Sequence, residues 1–257
     1  MNRIDSIFKE RKGKVLSIYF TAGYPHLDST ERIIQDLETA GADMIEIGMP
    51  FSDPLADGPV IQKSSEAALK NGMNIQLLFK QLENIRDSVR IPLILMGYLN
   101  PVQKYGVEEF CGKCSDIGID GLILPDLPPE IYSDQYLQLF EKHNLYNILL
   151  ISPQTDDERI RMIDNLSRGF VYLVSSYSTT GIRESFTDDQ IAYFNRIKNM
   201  KLSNPGLIGF GISDRNSFMT ACEVADGAII GSAFVKMLGE KGEGTRNIEQ
   251  FIRTIKH

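Results

Sequence analysis

Glu46 stands in the middle of Met44-Ile45-Glu46-Ile47-Gly48, a run that is otherwise apolar or small. Burying a carboxylate there without a partner is expensive, and apolar surroundings raise its pKa from the ordinary carboxylate range toward neutrality. A carboxyl tuned in this way is a candidate general acid and base. Strand side chains alternate, so Ile45 and Ile47 share one face, toward helices, and Met44, Glu46 and Gly48 share the other. The plainer reading is a buried glutamate satisfied by backbone or water. After the strand comes Pro50-Phe51-Ser52-Asp53-Pro54-Leu55-Ala56-Asp57-Gly58-Pro59, whose three prolines and two aspartates make a stiff loop that can position side chains. Asp57, eleven positions beyond Glu46, can return over the same site as a second carboxylate. Two carboxyl groups in different environments hold different pKa values and divide acid and base roles between them. Asp53 and Asp57 also suit ordinary turns, where aspartate bonds its own backbone.

A second kind of chemistry is written near the carboxyl end. Gly209-Phe210-Gly211-Ile212-Ser213-Asp214 and Ala228-Ile229-Ile230-Gly231-Ser232-Ala233 each pass from an apolar strand through glycine and serine into a helix. Glycine lets the backbone approach an anion and a helix amino terminus points N–H groups at it, so the two junctions together read as a phosphate cup. Neither junction matches a nucleotide motif: there is no G-x-x-x-x-G-K-[ST], and Asp214 stands where G-x-G-x-x-G needs its last glycine. Ser175-Ser176-Tyr177-Ser178-Thr179-Thr180-Gly181 is a hydroxyl-rich segment suited to a closing lid, or simply a polar surface loop. Tyr98 and Tyr172 end apolar strands, where they bring phenols to a site mouth or serve as core tyrosines. His26, His143 and His257 are scattered and assemble neither a serine-type triad nor a metal cage. Cys111 and Cys114 form a C-x-x-C inside a helical segment, Val107 to Ile117, with no second pair to complete a zinc site. The expectation is buried thiols, with no metal and no nucleotide.

Eight short apolar runs must carry these residues: Val15 to Thr21, Met44 to Gly48, Pro92 to Gly97, Gly121 to Pro125, Asn147 to Ser152, Phe170 to Ser175, Leu207 to Gly211 and Gly227 to Gly231. Amphipathic stretches lie between them, among them Ser29 to Ala40, Ile75 to Arg86, Ile131 to His143, Asp156 to Leu166, Asp188 to Met200 and Arg215 to Val224. Repeated β-α units of this kind build a parallel sheet covered on both faces. The periodicity fits an open doubly wound sheet as well as a closed barrel. Strand count and the placing of polar residues at the carboxyl ends of strands favour a single-domain (β/α)8 TIM barrel spanning residues 1–257. Met1 to Arg11 reads as a short helix that plugs the barrel bottom, and Ala233 to Lys256 as a last helix broken near residues 239–244. A 257-residue chain that is 42% hydrophobic can bury such a core.

A formal charge of -7 repels polyanions, so nucleic acid is an unexpected partner, and no apolar run reaches the roughly 18 residues of a membrane span. Three cysteines and a start without a signal-like apolar stretch point to a reducing, cytoplasmic setting.

The stretch Glu46 to Gln62, Glu-Ile-Gly-Met-Pro-Phe-Ser-Asp-Pro-Leu-Ala-Asp-Gly-Pro-Val-Ile-Gln, closely resembles the alpha subunit of tryptophan synthase. Tyr19-Phe20-Thr21-Ala22-Gly23-Tyr24-Pro25, Met96-Gly97-Tyr98-Leu99-Asn100-Pro101, Pro125-Asp126-Leu127-Pro128, Thr180-Gly181, Gly209 to Ser213 and Gly231-Ser232-Ala233 resemble further family segments in order. The resemblance implies a TIM barrel that cleaves indole-3-glycerol phosphate to indole and glyceraldehyde 3-phosphate in tryptophan biosynthesis, without a cofactor of its own. By that resemblance Glu46 moves protons at indole C3 and the glycerol hydroxyl, and Asp57 takes the indole N–H proton. Tyr98 and Tyr172 match positions lining the indole site. Tyr19, Gly181, Gly211, Gly231 and Ser232 match positions near the phosphate, with Thr180 and Phe210 in the same segments. Asp53 lies where the family contacts its beta subunit, in an alpha2beta2 heterotetramer. The family often carries an arginine in the lid, whereas Ser175-Ser176-Tyr177-Ser178 has none. The alternative to an enzyme is a catalytically silent phosphate-binding barrel that activates a beta-type partner.

Overall fold

The computed structural model describes residues 1–11, 14–54, 57–175 and 186–257. Its strands are β1 (Val15–Thr21), β2 (Met44–Gly48), β3 (Leu93–Met96), β4 (Gly121–Ile123), β5 (Tyr146–Asn147), β6 (Leu150–Ile151), β7 (Val171–Val174), β8 (Gly206–Gly209) and β9 (Gly227–Ile230). Among the described residues the strands pair in parallel, in the order β5-β4-β3-β2-β1-β9-β8-β7-β6. The two outermost strands, β5 and β6, belong to one stretch of chain, residues 146–151. Ile148 N donates to Leu122 O (3.0 Å) on the β4 side and Tyr172 N donates to Leu149 O (2.9 Å) on the β7 side. One stave therefore closes the sheet on itself. Nine strands appear for the eight expected because the stagger of a tilted barrel lets this stave bond its two neighbours at different levels.

The runs that the sequence marks as apolar are buried on both faces: all seven residues of β1 and all five of β2 are covered. The helices Val107–Ile117, Asp188–Met200 and Arg215–Val224 fall where the periodicity places them. Other expectations shift. Ile75 to Arg86 is a helix only over Ile75–Leu82, then a 3-10 turn over Ile85–Asp87. The stretch expected over Ile131 to His143 contains a π-helical turn, Tyr132–Tyr136. The last helix divides into Ser232–Lys241 and Thr245–Lys256, with the glycines at 242 and 244 in the break.

The amino-terminal helix Arg3–Glu10 closes the bottom of the barrel. Ile4 is fully buried there, against the open backbone of Gly121 and Gly169, where a methyl group would meet it. Two buried aspartates just ahead of β2 and β4 tie that end together. Asp43 takes Lys256 (2.8 Å) and Arg11 (3.0 Å), and Asp120 takes Arg3 (3.0 Å) and Arg86. Each buried carboxylate has two cations, so that losing one leaves the other to compensate it. Structural charge thus sits at the amino ends of the strands, leaving the carboxyl ends for chemistry. No described helix is long and apolar enough to cross a membrane.

Candidate active site

The register of β1 and β2 sets the core of the site. Tyr19 lies opposite Glu46, Ser17 opposite Met44 and Thr21 opposite Gly48. Residues two apart share a face, so Ser17, Tyr19 and Thr21 face the barrel axis with Met44, Glu46 and Gly48. Two glycines make room for two phenols. A side chain at Gly48 would fall on the Tyr19 hydroxyl, and one at Gly209 on the Tyr172 hydroxyl. Phenols from β1 and β7 therefore enter the interior through notches in the neighbouring strands β2 and β8.

Glu46 is fully buried. Ser17 Oγ donates to Glu46 Oε1 at 2.9 Å, and Oε2 is buried with no hydrogen-bond partner among the described residues. Burial pushes the Glu46 carboxyl up to about 8, with the Ser17 hydrogen bond opposing. Burial also raises Asp57, to about 6, against the opposing bond in which Tyr98 Oη donates to Asp57 Oδ2 at 3.3 Å. Phe51 packs on the Tyr98 ring, with centroids 5.0 Å apart, and so helps seat the loop that carries Asp57. Tyr19 and Tyr172 are held well above the ordinary phenol range by burial and by the charges of Asp57 and Glu46. Both carboxylates thus act on the same two phenols, and Glu46, Asp57, Tyr19, Tyr98 and Tyr172 form one constellation.

The carboxyl-end junctions divide into two kinds, which corrects the reading of a cup built from both helices. The helix Arg215–Val224 is already capped: Asp214 accepts from Ser217 N at 2.8 Å, in a reciprocal capping box. A carboxylate occupies the amino terminus that an anion would need. The helix Ser232–Lys241 begins after Gly231 with no side-chain cap, so its first N–H groups remain for a ligand. Gly231 lies against Tyr19, so that a side chain there would touch the ring. Tyr19 therefore spans the distance between the open helix terminus and the carboxylates. Phe210 and Gly211 both take left-handed φ values, +70° and +77°, turning the chain sharply off β8. Ser175 Oγ donates to Phe210 O at 2.9 Å and braces that turn, and Phe210 packs edge-on to Tyr172.

Asp53 is exposed and stands apart from this constellation, accepting a bond from Ser52 Oγ at 2.6 Å. Thr180, Gly181 and the lid segment beyond Ser175 lie outside the described residues. Cys111 and Cys114 face inward from their helix, and burial pushes the Cys111 thiol up to about 12 and Cys114 well above its ordinary value, which leaves both unreactive. Among the described residues no group of three or more His, Cys, Asp or Glu side chains could hold a metal. A surface groove lined by Glu130, Asp134, Glu158 and Arg161 shares none of the residues above.

Sequence reasoning passed over Ser17 and Phe51. The first carried a readable signal, since a hydroxyl two positions before Tyr19 in an all-buried strand must face the same way. The second gave none, because a loop aromatic has no fixed periodicity.

The pattern that characterises the tryptophan synthase alpha chain matches residues 6–256. The chain is 59% identical, over the whole of both chains, to the tryptophan synthase alpha chain of Flavobacterium johnsoniae. It is 48% identical to that of Parabacteroides distasonis, again over both full lengths. Among solved structures, the alpha chain from Legionella pneumophila superposes with a TM-score of 0.89 at 34% identity, covering 99% of this chain and 96% of that one. Tryptophan synthase from Mycobacterium tuberculosis superposes with a TM-score of 0.89 at 32% identity, covering 99% and 96%. With one family's pattern matching from residue 6 to 256 and full-length relatives well above 30% identity, the chain belongs to the tryptophan synthase alpha chain family.

Proposed function

We propose that this site carries out the family's lyase reaction, retro-aldol cleavage of indole-3-glycerol phosphate, with Glu46 and Asp57 as its acid and base. The observation that carries the assignment is the difference between two carboxyls in one pocket: Glu46 is fully buried with one oxygen unpaired among the described residues, and burial pushes it up to about 8, whereas Asp57 accepts a bond from Tyr98 and is pushed up only to about 6. Near neutral pH Glu46 holds its proton while Asp57 is ionised, the pairing the first step needs. Glu46 gives its proton to indole C3 as Asp57 takes the proton from N1, which leaves a C2=N1 double bond. Glu46, now a carboxylate, takes the proton of the glycerol hydroxyl on the carbon attached to C3. That C–C bond breaks, its electron pair restores the C2=C3 bond of the ring, and Asp57 returns the proton to N1. Indole and glyceraldehyde 3-phosphate leave, and both carboxyls are as they began.

Tyr98 and Tyr172 line the indole ring in this reading. Gly231 and Ser232 offer the open helix terminus to the phosphate, with Gly211 and Phe210 shaping the opposite wall and Tyr19 the floor between. Thr180 and Gly181 complete the phosphate side by family resemblance alone. Exposed Asp53, on the loop after β2, is assigned to contact with a beta chain in an alpha2beta2 assembly, and the cytoplasm is the assigned compartment.

Indole release from indole-3-glycerol phosphate by the purified chain, alone and with a beta subunit, tests the reading. A folded chain without turnover in either condition leaves only a silent partner-activating barrel. The phosphate assignment has its own test in Gly231→Asp. The residue's φ of -114° admits a side chain, and the new carboxylate would cap the helix and repel the phosphate. KM is expected to rise at least about tenfold with thermal stability unchanged or higher, and an unaltered KM would place the phosphate elsewhere.

A further inference from the structure

We infer that Ser17 is a positioning residue for Glu46, its hydroxyl holding Oε1 so that the exchangeable proton is confined to Oε2. The inference rests on the acid and base reading of Glu46 given above. Its geometry is direct. Ser17 is fully buried, two register positions nearer the barrel floor than Glu46 on the same face of the sheet, and donates at 2.9 Å. A carboxyl oxygen that accepts such a bond is the carbonyl oxygen of the acid form, which leaves the proton on the other. That other oxygen, Oε2, is the buried atom without a partner among the described residues.

The surroundings leave Ser17 as the group that sets this carboxyl. Tyr19 faces it from β1 and Tyr172 from β7, and both phenols stay neutral because burial and the carboxylates hold them well above the ordinary range. From β3 the register neighbour is Ile94, which carries no charge. Asp57 reaches the same phenols from the loop after β2, but Ser17 is the group bonded to Glu46, and its bond opposes the upward pull of burial. A donor to a carboxylate stabilises the ionised form, so its removal weakens the acid further. It also frees the carboxyl to rotate away from one geometry.

The test compares Ser17→Val with Ser17→Thr, which have nearly the same shape and differ in the hydroxyl. Two readouts are taken: the titration of the Glu46 carboxyl by carbon-13 NMR without substrate, and the pH dependence of kcat and KM. Ser17→Val is expected to raise the Glu46 titration and the alkaline limb of the pH profile together by about one pH unit, and to lower kcat about tenfold with KM within about twofold. Ser17→Thr is expected to restore both. If Ser17→Val leaves the carboxyl titration and the alkaline limb where they are, or if Ser17→Thr fails to rescue, the inference is wrong. A Glu46→Gln arm separates the two levels: persistent turnover there defeats the acid and base reading, whereas the carboxyl titration still reports on Ser17 by itself.

Discussion

Glu46→Gln is expected to lower turnover by about three orders of magnitude or more while leaving the barrel folded and gaining stability on the parent as pH rises from 5 to 8. The catalytic loss is large because one carboxyl makes two proton transfers, to C3 and from the hydroxyl, and positioned acid-base catalysis is worth about 10²–10⁴ in rate. The stability gain follows from the same burial. In the unfolded chain the carboxyl titrates near 4.5, and in the barrel near 8. Between those values the folded protein holds a proton that the unfolded chain has released, so this residue's contribution is fully present below about pH 4.5 and is lost as pH rises through 8. Over that window the loss amounts to roughly 3–5 kcal/mol. Glutamine does not titrate and escapes it. The amide leaves its two N–H groups unpaired where Oε2 stood, but that penalty is the same at every pH. Urea unfolding of parent and variant at pH 5 and pH 8 therefore isolates the effect: the variant should gain on the parent between the two. Equal differences at both pH values, or turnover within tenfold of the parent, would remove Glu46 from the role assigned to it.

The features legible in the sequence are those that break a local rule. Glu46 is conspicuous because an acid inside an apolar strand violates the pattern around it, and the structure shows it fully buried. Tyr98 was legible as a phenol just past a strand end and Asp57 by the rigidity of its loop, whereas Tyr172, expected at a strand end, lies inside β7 and is buried, its hydroxyl in the notch at Gly209. What stayed hidden depends on partners far apart in the chain. The spacing of Ser17 from Tyr19 gives the face it shares, but its pairing with Glu46 comes only through the β1–β2 register, which joins segments 29 residues apart. The helix Pro59–Lys70 was obscured because Pro59, read as the end of a loop, is instead the first helical residue, where a missing N–H costs nothing. Asp214 was weighed against a nucleotide motif when its nearer role was to cap its own helix. Splitting of the fifth stave is a property of barrel closure, and no single segment encodes it.

The pH dependence of kcat/KM carries the second large expectation, a bell that rises through about pH 6 and falls through about pH 8. A bell alone does not say which carboxyl plays which part, since the same one-proton pair titrates whichever residue holds the proton. The difference in burial favours one order. Glu46, fully buried, is raised further than Asp57, so the form with the proton on Glu46 is the more populated of the two. Asp57→Asn decides the matter, because asparagine cannot ionise. It should remove the acidic limb, keep the alkaline one and reduce kcat by about two to three orders of magnitude. Tyr98→Phe should act on the same limb more gently, moving it upward, since the donated bond that steadies ionised Asp57 is gone. If Asp57→Asn instead erased the alkaline limb, the proton would have to start on Asp57, and the acid and the base in this pocket would exchange places.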